Sequence, residues 1–226
     1  MRRAPMPAAE IAVVAVAAGA GLEDVFRSLG TTTVISGGQT MNPSCADIIQ
    51  AIELIPSDKV IVLPNNKNII PAAKQAAEAC KKKVTVLSTR SVPQGLSAML
   101  AFNPETDMER NAREMAAAFE RVKTVEVTRA VRDARLGHLE IREGDFLGLV
   151  DGNIRVVSDE LGKAVADTLE AAAIEEAGIV SIYYGADVDE SQARQLADGI
   201  TGQYPGLEIE VIAGGQPHYS YIMALE

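Results

Sequence analysis

Val34–Ser44, VISGGQTMNPS, is the stretch whose reading decides the fold. Its β-branched run stops at a Gly-Gly pair, a polar loop follows, and Pro43 and Ser44 introduce an apolar-periodic segment, so a strand hands over to a helix. Upstream, Ile11–Val16 is almost unbroken apolar, as in a strand buried on both faces, and Gly19 and Gly21 turn it into a helix over Leu22–Leu29. Downstream, Ile48, Ile49, Ile52 and Ile55 share one helical face, with Asp47, Gln50 and Glu53 on the other, until Pro56 and Ser57 stop the helix. The plan then repeats: strand Lys59–Leu63, loop Pro64–Asn68, helix Ile69–Cys80, strand Val84–Leu87, loop Ser88–Gly95 and helix Leu96–Phe102. A polar loop follows the carboxyl end of each strand, the edge at which such sheets bind ligands or partners.

Asn103-Pro104 predicts a lobe boundary, after which the grammar changes. An amphipathic helix over Glu105–Arg121 precedes short strands at Thr124–Ala130, Leu139–Ile141, Phe146–Val150 and Ile154–Val157, with Asp151-Gly152 as a hairpin turn. Helices over Glu160–Glu176 and Glu190–Gln203 flank a strand at Ile179–Tyr184. The strands Leu207–Ile212 and His218–Leu225 bracket Gly214-Gly215-Gln216-Pro217. The expected organisation is a disordered leader over 1–10, a mostly parallel βαβ lobe over 11–104 and a mixed α+β lobe over 105–226.

Composition excludes several classes. With 47% hydrophobic residues, 4% aromatic and no Trp, the core must be built from Ala, Val, Ile and Leu. The run Ile11–Ala18 is far short of the about 20 residues that span a bilayer, and behind Arg2 and Arg3 it reads as a first strand rather than a signal peptide. Cys45 and Cys80 form neither a disulfide scaffold nor a metal motif, which fits a cytoplasmic protein. The net charge of −10 argues against nucleic-acid binding. Residues 1–105 hold 10 Lys+Arg and 8 Asp+Glu while 106–226 hold 11 and 23, so the halves carry +2 and −12.

The loops offer Gly37, Gly38, Gln39, Thr40, Asn42 and Ser44; Asn65, Asn66, Lys67 and Asn68; Arg90, Ser91 and Gln94; and Gly214, Gly215, Gln216, His218 and Tyr219. Amides, hydroxyls and two cations can bind a carboxylate, a phosphate or a peptide backbone, but they supply no general base or nucleophile system. No acidic partner is evident for His138 or His218, so a Ser/His/Asp triad is not supported, and His218 reads as a surface or packing residue. GAG at Gly19–Gly21 lacks the third glycine and the acidic residue of a dinucleotide fingerprint, and no GxxxxGK[ST], HExxH or calcium-loop spacing occurs, so no metal is expected. The twice-occurring GGQ is a tight strand exit rather than a release-factor motif. PNNKN reads equally as an Asx-turn with helix capping and as a contact loop, whereas Arg90, between Thr89 and Ser91, is placed to meet an anion or a partner's acid.

GGQTMNPS, VLPNNKNII, TRSVPQG leading into LSAMLAFNP, VTRAVRDA, EGDFLGLVDG and GGQPHYSYIMALE, in that order, resemble the C-terminal domain of bacterial fatty acid kinases, which are dihydroxyacetone-kinase-like proteins. The resemblance implies a two-lobed DegV-like α/β fold and a role in lipid metabolism. It implies a non-catalytic module that docks the fatty-acid-loaded DegV-type carrier protein, so that a separate kinase domain, in cis or in trans, can form the acyl phosphate. ATP and magnesium would belong to that kinase domain, which this chain is expected to lack, leaving it without a cofactor of its own. A homodimer is a further partner arrangement that the sequence leaves open. The alternative is a lobe binding dihydroxyacetone or another small molecule through His218 or His138, or a fatty acid between lobes.

Overall fold

The computed structural model describes residues 10–38, 41–137 and 139–226. The expected leader therefore lies outside the described residues apart from Glu10, which is exposed and pairs with Lys59 at 2.6 Å. The chain forms two compact units. One comprises the described residues up to Ala17 with Val25–Glu120, the other Ala18–Asp24 with Arg121–Glu226.

The first unit is the repeating βα grammar made solid. Strands β1 (Ile11–Ala17), β2 (Thr33–Ser36), β3 (Lys59–Leu63) and β4 (Lys83–Val86) form a parallel sheet in the order β2-β1-β3-β4. Every residue of β1 is buried, which is why its sequence does not alternate. Ala12, Val14 and Val16 pack with Val60 and Val62 against Ile48 and Ile52 of α2 (Cys45–Glu53) and Ala73 and Ala76 of α3 (Ile70–Ala79). The alternate residues Val13, Ala15, Ile61 and Leu63 are equally buried on the opposite face. Lys82, just before β4, donates from Nζ to the carbonyls of Ile52 (2.8 Å), Glu53 (3.2 Å) and Ile55 at the end of α2, where a cation complements the helix dipole.

Two boundaries differ from expectation. Helix α4 spans Val92–Leu100 instead of starting at Leu96, because Ser91 is its N-cap and Pro93 is accommodated in the first turn. The boundary expected after residue 104 falls at Glu120 instead, because α5 (Met108–Phe119) packs on α4 and touches β3. The Asn111 side chain ties α5 to its own approach, accepting from Asn103 N at 2.8 Å and donating to Asn103 O at 2.8 Å, and Lys83 pairs with Glu109. Composition changes at 104, but packing continues for another helix.

The second unit is a mixed six-stranded sheet. Strands β5 (Lys123–Arg129), β8 (Phe146–Val150), β9 (Asn153–Ser158), β10 (Ile179–Tyr184), β11 (Glu208–Ala213) and β12 (Tyr219–Leu225) run in the order β11-β10-β12-β5-β8-β9. Only β10 and β11 pair in parallel. Helices α6 (Leu161–Ala171) and α7 (Glu190–Gln203) share one apolar cluster with Val125, Val127, Val180, Ile182 and Met223. Helix α6 ends before the expected Glu176, because Ala173 turns left-handed (φ 54°) and a 3-10 turn follows at Ile174–Glu176. A short strand absent from the sequence reading, β6 (Ala134–Leu136), pairs with β7 (Leu139–Ile141) as a separate hairpin. No helix among the described residues is long and apolar enough to cross a membrane.

Replacing Lys82 by Met keeps the aliphatic stem and removes the cap of α2. The variant is expected to lose about 1 kcal/mol, read as a lower urea midpoint at unchanged slope in far-UV circular dichroism.

Candidate functional site

Because β2, β1, β3 and β4 are parallel, the loops after β2, β3 and β4 leave the first unit at one edge. The chain passes from β1 to β2 on one side and then crosses to β3 on the other. The β1/β3 strand ends therefore form the topological switch point where open α/β sheets receive ligands.

Asn65 fills that crevice. It follows β3, is only 6% exposed, and adopts a left-handed backbone (φ 55°) that an asparagine tolerates better than most residues. Its Nδ2 donates to Val16 O of β1 at 2.9 Å, its Oδ1 accepts from Thr89 Oγ1 at 2.8 Å, and its N donates back to Thr89 Oγ1 at 3.0 Å. Thr89, after β4, is wholly buried, so one amide and one hydroxyl link the ends of β1, β3 and β4. Gly95 in α4 makes room for them, since a Cβ there would lie 2.1 Å from Asn65 Oδ1.

Most of the other loop residues shape the edge. Gly38 N donates to Met41 O at 3.1 Å; Gln39 and Thr40 lie outside the described residues. Gly37 sits where a Cβ would meet Pro43 Cδ at 2.8 Å. Ser44 caps α2 in a reciprocal box, accepting from Asp47 N at 3.2 Å while Asp47 Oδ2 accepts from Ser44 N (2.8 Å) and Oγ (2.7 Å). These bonds, the side-chain one foremost, hold the Asp47 carboxyl below its ordinary range. Asn66 makes the Asx-turn, its Oδ1 accepting from Asn68 N at 2.8 Å. Ser91 caps α4, and Gln94 Oε1 accepts from Arg90 N at 2.7 Å. Asn42, Lys67, Asn68 and Arg90 have exposed side chains at this edge.

The fourth loop belongs to the second unit and repeats the device. Gly214 N and Gly215 N both donate to Tyr184 O at 3.0 Å, and Gln216, 2% exposed, donates from Nε2 to Tyr183 O at 2.8 Å and Tyr219 O at 3.3 Å. The loop closes on the first turn of α1 (Ala20–Ser28), where Leu22 N donates to Gly214 O at 3.0 Å. Gly21 permits this approach, since a Cβ there would lie 1.7 Å from Ala213 O, and Gly19 needs its positive φ of 113°. A helix N-terminus that could cradle an anion thus receives a carbonyl of the chain itself. His218 is exposed at φ 70°, with its carbonyl accepting from Thr128 Oγ1 at 2.6 Å. Tyr219 is half-buried, and burial pushes its hydroxyl well above the ordinary range. His138 lies outside the described residues, and among the described residues no three His, Cys, Asp or Glu come together to hold a metal.

The sequence reading missed Thr89, whose bonds are long-range, and Asp47, which the spacing S-C-A-D signals as a capping box.

This fold and site define a two-unit α/β protein that closes its strand-end crevices with its own amides and leaves a polar rim outside. The sequence pattern of the FakA-like C-terminal family, the C-terminal domain of fatty acid kinase A-like proteins, matches residues 12–226. The chain belongs to that family. It is 42% identical over 214 residues to Protein YloV of Bacillus subtilis (strain 168), covering 95% of this chain and 39% of YloV, so it spans about two fifths of that relative. The DegV family protein Cg2579 of Corynebacterium glutamicum superposes with a TM-score of 0.70 at 17% identity, covering 96% of this chain and 97% of that one. The Streptococcus pneumoniae fatty acid kinase (Fak) B3 protein loaded with linoleic acid gives 0.66 at 13%, covering 96% and 99%. The dihydroxyacetone kinase of C. freundii gives 0.67 at 13%, covering 98% of this chain and 49% of that kinase. At these identities the structures show the fold, which is DegV-like.

Asn65→Ala removes the side-chain donor to the Val16 carbonyl and the side-chain acceptor for the buried Thr89 O–H. It is expected to cost about 2–4 kcal/mol, measured by urea unfolding, while Asn68→Ala at the same loop stays within about 0.5 kcal/mol. Asp47 carries a second expectation with a defined sign. Its folded-state pKa is depressed, so its stabilisation is complete above the unfolded value and disappears as pH falls through the lower folded one. Asp47→Asn should therefore lower stability at neutral pH and lose less on acidification, visible in thermal melts from about pH 6 to about pH 2.

Proposed function

We propose that this chain is a non-catalytic docking domain of a fatty acid kinase. It engages the fatty-acid-loaded, DegV-type carrier protein and presents its carboxylate to a separate kinase domain, in cis or in trans. ATP and magnesium bind that kinase domain, and the product is the acyl phosphate. The whole assembly works in the cytoplasm, in keeping with the two free thiols of Cys45 and Cys80.

The observation that carries this reading is Asn65. In a family tied to fatty acid kinase, the β1/β3 crevice that would hold a substrate of this chain's own is occupied by a buried amide bonded to Val16 and Thr89. Function then belongs to the rim, where Asn42, Lys67, Asn68 and Arg90 offer donors and two cations to a protein surface, with Ser44 holding α2 beside them. Asn65, Ser91 and Gln216 act from beneath, holding the loops in shape.

Isothermal titration with a linoleate-loaded DegV-type carrier tests it. Binding is expected to weaken at least about tenfold in Lys67→Glu/Arg90→Glu, as loss of close interfacial charge pairs predicts, with no change in the urea midpoint. Carrier binding absent from the unsubstituted chain would defeat the proposal. A covalent adduct of dihydroxyacetone on His218, seen by mass spectrometry, would transfer the reading to a small-molecule lobe.

A further inference from the structure

The parallel sheet of the first unit has two edges, and the sequence treats them differently. At one edge β4 begins with Lys83, which pairs with Glu109 of α5. A charge of this kind discourages a further strand. At the other edge β2 reads Thr-Val-Ile-Ser, with no charge, and pairs only with β1 among the described residues. Its outer row of backbone N–H and C=O groups is therefore open, on an uncharged and mostly β-branched strand.

Beside that edge lies a groove of about 300 Å3 between β2 and α2, lined by Val34, Ile35, Ala51, Leu54 and Ile55. Ile35 and Ile55 belong to the apolar cluster under α2, so the lining continues the core outward. Leu54, the C-cap of α2, is 77% exposed, more than any other large apolar residue of the first unit among those described. The polar part of the lining is acidic. Asp47, in the first turn of α2, contributes a carboxylate and Gln50 an exposed amide. Asp47 Oδ2 is engaged by Ser44, while Oδ1 takes no hydrogen bond from the described residues. No cation lines the groove, and Lys82, at the other end of α2, spends its charge on the carbonyls of Ile52, Glu53 and Ile55.

We propose that this groove and the β2 edge together receive an extended segment of a partner protein that carries an aliphatic residue two positions from a lysine or arginine. The segment adds a strand to β2, its aliphatic side chain seats against Leu54 and Ile55, and its cation meets Asp47. The spacing follows from the helix. Asp47 and Leu54 stand about 10 Å apart along α2, whereas side chains two positions apart on a strand are separated by about 7 Å, and a lysine stem covers the difference. Charge complementarity selects this occupant. A fatty acid would bring its carboxylate to Asp47 without a cation to meet it, and its chain would leave the β2 backbone groups unpaired. The surface is additional to the rim loops and needs no carrier.

The test adds the peptide acetyl-Thr-Val-Thr-Leu-Thr-Lys-Thr-amide to the isotope-labelled 226-residue chain and follows backbone amide signals by NMR. Signals of residues 33–36 and 47–55 are expected to move, with a dissociation constant of about 1 mM or tighter. Replacing the peptide's lysine by glutamate, or its leucine by serine, should each weaken binding about fivefold or more. N-methylation of every peptide amide should abolish binding, because strand addition uses those N–H groups. On the protein, Leu54→Ala and Gln50→Lys should each weaken binding about threefold or more. Both side chains are exposed, so unchanged circular-dichroism melts are expected. The peptide substitutions need no protein variant, so they decide the matter even if one of the variants melts early. Signals that stay still at about 5 mM peptide overturn the proposal. So does a glutamate peptide or an N-methylated peptide that binds as well as the original. If sodium dodecanoate moves the same signals at a lower concentration than the peptide, the groove takes an acyl chain and the proposal fails. Peptide binding is read without any carrier, so its outcome is independent of the docking function proposed above.

Discussion

The interaction on which the first unit depends is the Asn65 side chain spanning the ends of β1 and β3. A parallel sheet leaves strand-end carbonyls facing a crevice, and a buried carbonyl without a donor costs free energy comparable to a lost hydrogen bond. In many α/β proteins a ligand supplies that donor. Here Asn65 Nδ2 supplies it to Val16, Thr89 completes the amide's bonding, and Gly95 leaves the space. The left-handed backbone at Asn65 is the local strain that the arrangement requires.

Gln216 performs the corresponding task in the second unit, anchored to Tyr183 and Tyr219 while its loop closes on the first turn of α1. Its Oε1 remains buried without a hydrogen-bond partner, a cost that the tightness of the Gly214 turn imposes. Both devices bury a side-chain amide and bond it to backbone carbonyls of neighbouring strand ends.

Much of the architecture was legible in the chain. Strand-loop-helix repetition follows from apolar runs ended by Gly-Gly, Pro-Asn-Asn and Thr-Arg-Ser, and the shift to alternating short strands marks the mixed sheet. The boundary after Asn103-Pro104 was misplaced because α5 is held by contacts, Asn111 to Asn103 and Lys83 to Glu109, that composition does not register. Strand β6 escaped notice because a three-residue exposed strand has no apolar alternation to announce it. The site divided along the same line. Ser44 and Asp47, three residues apart, are visible as a cap, while Asn65 and Thr89 meet across 24 positions.

The sequence by itself determined where strands end, which loops are polar, how charge is divided between the halves, and which family the motifs resemble, because each depends on neighbouring residues or on their order. Only the tertiary structure decided which polar loop residues face inward. Asn65, Asn68 and Gln216 carry similar side chains in similar loops. A buried amide is distinguished from a rim amide by partners such as Val16, Thr89 and Tyr183, and those are brought near only when the sheets close.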